Sequence, residues 1–139
     1  MTSRSVAWLG TLAVAVNRAI VLLHGLAHGS LGIELTVAQM LFVYLVIGAA
    51  PLLAAILLWT KSARAGAALL AVSMAASLAF GVYYHFLIVS PDHVAHLPPG
   101  DDQGLFILTA YLLPATELAS IGVALWALAR LRAPAPSAP

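Results

Sequence analysis

Cysteine is absent from the 139 residues, which removes disulfides, thiol redox chemistry, iron–sulfur clusters, covalent c-type haem and palmitoylation. Charge is scarce as well. Asp, Glu, Lys and Arg make up 8% of the chain, against about 25% in soluble domains. The six basic residues are Arg4, Arg18, Lys61, Arg64, Arg130 and Arg132, and the five acidic ones are Glu34, Asp92, Asp101, Asp102 and Glu117, for a net charge of +1. No basic surface exists for nucleic acid, and that class of partner is excluded. Nucleophile elbows, phosphate loops and zincin motifs are also missing, so an enzyme is the weaker expectation. What remains is 63% hydrophobic, with a mean hydropathy of +1.02. Such a chain has the lipid bilayer as its solvent and first partner.

A bilayer core of about 30 Å needs roughly 20 apolar residues in a helix rising 1.5 Å each. Four runs qualify, near 5–29, 36–60, 63–89 and 105–129, and no alternating strand pattern competes with them. The expected fold is an all-α membrane protein, a bundle of four transmembrane helices forming one domain over 1–132. The proline-rich stretch 133–139 is expected to be a disordered tail. Arg4, Lys61, Arg64, Arg130 and Arg132 fall at one membrane face, and Glu34, Asp92, Asp101 and Asp102 at the other. The positive-inside rule then places both termini in the cytoplasm of a cell with an inner membrane. Trp8, Trp59 and Trp126 lie near the cytoplasmic charges, as an aromatic belt should. Arg4, an apolar run and Ala13-Val14-Ala15 imitate a secretory signal peptide. Cleavage there would carry Lys61 and Arg64 outward, which the charge bias opposes.

Anchoring the first helix at Arg4 leaves Arg18 inside the membrane, 14 residues or about 21 Å higher. Glu117 stands 13 residues or about 19.5 Å from Arg130. Equal depth suggests that Arg18 and Glu117 form a buried ion pair between the first and fourth helices, or else a proton relay. Asn17 is a hydrogen-bonding neighbour to either. Gly25 and Gly29 form a GxxxG pair, and Ala67, Ala71, Ala75 and Ala79 run beside Ser73, Ser77 and Gly81 as small-residue stripes suited to close helix packing. Pro51 and Pro114 free the carbonyls of Ile47 and Ala110.

All five histidines fall at the extracytoplasmic end. His24 and His28 lie about 30 and 36 Å above Arg4, and His85 about 31.5 Å above Arg64. His24 and His28 share a helix face at i, i+4, a spacing at which two imidazoles chelate one ion. Ser90 and Pro91 favour a helix start, and Pro98-Pro99 a stop. A short helix over 91–97 would put His93 and His96 on one face, with Asp92 as a ligand or as a partner orienting one. The expected site therefore combines His24, His28 and His85 with Asp92, His93 and His96 at its mouth. Imidazole and carboxylate without thiolate suit copper, zinc or iron. Haem b, held axially by His85 and either His24 or His28, is the alternative cofactor.

The four short helices, His24-Gly25-Leu26 in the first and His85 ending the third resemble, over these few positions, the DoxX-like bacterial membrane proteins. The second helix differs in holding Pro51 where an acidic residue is expected in that family, and no site residue is taken from the resemblance. The first functional expectation is a small integral membrane protein that handles a transition metal or haem, as an accessory to a redox system. The others are a non-catalytic subunit of a larger membrane complex or homo-oligomer, and a small proton-coupled carrier using Glu117.

Overall fold

The computed structural model describes residues 3–131. Arg132 and the 133–139 tail lie outside the described residues. Four helices account for most of the chain: α1 (Ser3–Ser30), α2 (Val37–Leu58), α3 (Ala63–Leu87) and α4 (Gln103–Arg130). Each is long and apolar enough to cross a membrane, and no strand occurs among the described residues. No boundary departs from the hydropathy reading by more than two residues.

Local chemistry explains the ends. Gly32 carries a left-handed φ of 63°, which lets Gly32 N–H reach the Gly29 carbonyl and Ile33 N–H the His28 carbonyl, closing α1 in a Schellman-type turn. Thr36 and Gln39 form a reciprocal capping box that starts α2. Inside α2, Val43–Ala49 widens into a π-helical stretch, with Ala50 N–H bonded to the Leu45 carbonyl. It ends just before Pro51, whose missing N–H already breaks the regular ladder. The last turn of α3, Tyr83–Leu87, is also π-helical. By contrast α4 stays α-helical through Pro114.

Outward and interior surfaces are inverted relative to a soluble bundle. Leu22, Leu26, Val72, Leu108 and Leu125 are exposed, whereas Asn17, Ser73, Ser77, Thr109, Glu117 and Ser120 are buried. A bilayer selects such an arrangement, with hydrocarbon outside and polar groups within. The inward face of α4 runs through Phe106, Thr109, Ala110, Leu113, Glu117, Ser120, Ala124 and Ala127, the three-and-four spacing of one helical stripe. It packs along α3 and α1.

The backbones of α2 and α3 meet at Gly66, where an added Cβ would lie 2.9 Å from both Ala54 O and Leu58 N. Gly25 and Gly29 behave differently. A Cβ on either would meet nothing within 4 Å, so within this chain their GxxxG spacing packs against no helix. On α3, Ala67 is buried while Ala75 and Ala79 are exposed, and Ser73 and Ser77 point inward.

Two apolar clusters close the bundle at its ends. One gathers Val6, Ala7, Leu58, Leu70 and Ala127, near the edge-to-face pair Trp8–Trp59 and the bond from Arg64 Nη1 to Leu131 O. The start of α1 and the end of α4 therefore share one end of the molecule. At the opposite end, Ala27, Leu31, Ile33, Phe106 and Ala110 form the second cluster. The outer part of α2 packs chiefly on α3, and its contact with α1 comes lower, over Ala50–Leu58. A cavity of about 360 Å³ fills the space this leaves.

Candidate metal centre

Two helices, α1 and α3, bring His24, His28 and His85 together at that opposite end. One nitrogen from each imidazole lies within 4.8 Å of the others. His24 is central, with ring centroids 4.9 Å from His28 and 4.8 Å from His85. The i, i+4 repeat supplies the first pair, and the π-helical last turn of α3 carries His85. Phe106 of α4 lies against all three rings, at 4.5, 5.0 and 5.4 Å.

Each imidazole spends one nitrogen on a neighbour. Thr109 Oγ1 lies 2.8 Å from His24 Nδ1 and within hydrogen-bond reach of the Leu105 and Phe106 carbonyls of its own helix. With the hydroxyl proton on either carbonyl, His24 donates Nδ1–H to Thr109 Oγ1 and keeps Nε2 as its acceptor. His85 Nδ1 donates to the Asp92 carbonyl at 3.0 Å, which likewise fixes its tautomer. His28 Nε2 lies 2.9 Å from Asp92 Oδ1. The approach is out of line for a good hydrogen bond, yet two lone pairs at that distance would repel, so Nε2 holds the proton. In the neutral rings the remaining nitrogens, His24 Nε2, His28 Nδ1 and His85 Nε2, are unprotonated. The first two are buried without any partner.

Asp92 is the keystone of the loop after α3. It is 5% exposed, with Oδ1 also 3.3 Å from His85 Nδ1. Burial works against its ionisation, but His28 and His85 outweigh that and hold its carboxyl well below the usual carboxylate range. The backbone brings it inward: Val94 N–H bonds to the His85 carbonyl, and Asp92 N–H bonds to Ser90 Oγ.

That inward fold corrects two expectations. No helix forms over 91–97. Consecutive tight turns replace it, with His93 N–H on the Ser90 carbonyl and His96 N–H on the His93 carbonyl, because Val94 gives its N–H to α3 instead of to a helical ladder. His93 and His96 do not join the buried group. They lie 5.0 Å from each other, the first half-buried and the second exposed.

The Arg18–Glu117 pair is a third correction. Among the described residues, the ion-pair contacts within 4 Å are those of Asp92 with His28 and His85. Arg18 Nη2 instead donates to Asn17 Oδ1 at 2.9 Å, and Glu117 accepts from Ser77 Oγ. Depth was matched but azimuth was not. Asn17, fully buried, faces α4 and donates to Thr116 Oγ1 at 3.2 Å, and Arg18 points about 100° further round the helix.

Thr109 and Phe106 escaped the sequence reading, and Ser77 entered it only as a packing residue. Their signal was spacing: Thr109 stands eight residues before Glu117, and Ser77 eight before His85, each on the stripe already holding a chemical group. No family model matches the chain, and no curated protein or solved structure matches it.

Proposed function

We propose that this chain is a multi-pass protein of the cytoplasmic membrane, both termini inside, which binds one transition-metal ion at its outer face through His24, His28 and His85. One observation carries the reading: three imidazoles offer one nitrogen each within 4.8 Å of the others, and each ring also has Thr109 or Asp92 as a polar neighbour. Metal-binding histidines are oriented in this way, the engaged N–H fixing the tautomer and raising ligand basicity. Three neutral nitrogens and an open fourth position suit zinc, copper or iron. Asp92 adds a negative charge beside the centre, offsetting part of the cation's cost in a low dielectric.

A bare ion fits better than haem. The imidazoles lie in ring-to-ring contact with one another and with Phe106, which leaves no slot for a flat macrocycle between axial ligands. The adjoining cavity is where a further ligand of the ion would enter.

The test is metal content of the protein purified without chelators. We expect about one zinc, copper or iron per chain, lost in His28→Ala and His85→Ala and retained in His96→Ala. Metal-free wild type that also takes up none of these ions at micromolar concentration would refute the proposal.

A further inference from the structure

The cavity does not stop at the histidines. Thr109 and Glu117 are eight residues apart on α4, as are Ser77 and His85 on α3, so it descends about 12 Å to a floor formed by Ser77 and Glu117. Its walls there are apolar, from Val21, Val43, Ile47, Phe80 and Leu113. A cavity of roughly 150 Å³ already holds benzene, and this one measures about 360 Å³. The floor has an unmet requirement. Ser77 gives its proton to Glu117 Oε1, while Oε2 is buried with no partner on a residue 2% exposed.

We propose that this lower chamber binds a small neutral molecule, an apolar body carrying a hydroxyl that donates to Glu117 Oε2. A hydroxyl is required because the floor offers an acceptor and no spare donor; an ether or ketone would leave Oε2 unsatisfied. Neutrality follows from the apolar walls, where Val21, Val43, Ile47, Phe80 and Leu113 offer no partner to a charge. Phenols, alkanols and lipid alcohols share this chemistry.

The experiment uses the full chain in detergent, stripped of metal, so that its outcome is independent of the metal centre. Equilibrium dialysis compares 4-propylphenol with 4-propylanisole, the same body without the donor. We expect one phenol per chain, bound at least tenfold more tightly than the ether. Glu117→Leu should erase that difference. Gly25→Leu should block both probes, since Gly25 lines the cavity and an added Cβ there meets nothing within 4 Å. Organic extraction of protein taken directly from membranes assigns the natural source: a stoichiometric lipid alcohol points to the bilayer, its absence to a free solute. Equal binding of the two probes, or a chamber that takes neither and holds only water, would overturn the inference. Should Glu117→Leu not fold, the wild-type comparison and Gly25→Leu still decide.

Discussion

At the residue scale, the histidine cluster depends on two side chains that would touch no ion. Thr109 is the polar neighbour of His24, and Asp92 that of His28 and His85. Replacing Thr109 by Val keeps the volume and removes the acceptor, leaving a buried N–H without a partner. We expect a loss of about 1–3 kcal/mol in stability and roughly 10- to 100-fold in metal affinity, read by thermal unfolding and competitive metal titration. An unchanged affinity in Thr109→Val would mean that His24 is not a ligand. Glu117 supplies a second check. A double-mutant cycle of Ser77→Ala with Glu117→Gln should show larger coupling than one of Arg18→Ala with Glu117→Gln, because only the first pair is in contact. The convergence of His24, His28 and His85 was legible beforehand, since height along a helix is simple arithmetic from a charged anchor. The partner of Arg18 was not, because height says nothing about azimuth. Asp92 was legible only as a neighbour of the histidines. Its place inside the cluster depends on Val94 bonding to α3, a tertiary contact with no local signature.

At the scale of elements, the two glycine patterns separate. Gly66 sits where the backbones of α2 and α3 meet, so Gly66→Ala forces Cβ to 2.9 Å from backbone atoms. Overpacking of this kind costs about 1–3 kcal/mol. Gly29→Ala adds a methyl to open space and gains helix propensity, worth up to about 1 kcal/mol. Unfolding in detergent should therefore show opposite signs for the two substitutions. Equal destabilisation would mean that Gly29 is in a contact the isolated chain does not make, such as one with a second copy. The four helices themselves were legible from hydropathy because a span needs a minimum length whatever it packs against. The π-helical stretches were not. Pro51 announces a broken ladder, but whether the chain kinks or widens depends on how the outer part of α2 rests on α3, and that widening accompanies the cavity.

At the scale of the whole molecule, an outward-facing metal centre requires the histidine end and the end shared by Trp8, Trp59 and Arg64 to lie on opposite sides of a membrane. The absence of cysteine makes this simple to examine. An impermeant thiol reagent added to intact cells should label Asp101→Cys and not Ser62→Cys, with the pattern reversed in inside-out vesicles. Labelling of both from one side would contradict the four-span arrangement. The central claim concerns the ion, and X-ray absorption of the zinc- or copper-loaded protein tests it most directly. The account predicts one ion per chain with three imidazole nitrogens at about 2.0–2.1 Å, falling to two in His28→Ala. A first shell made of oxygen alone, or one that His28→Ala leaves unaltered, would contradict it.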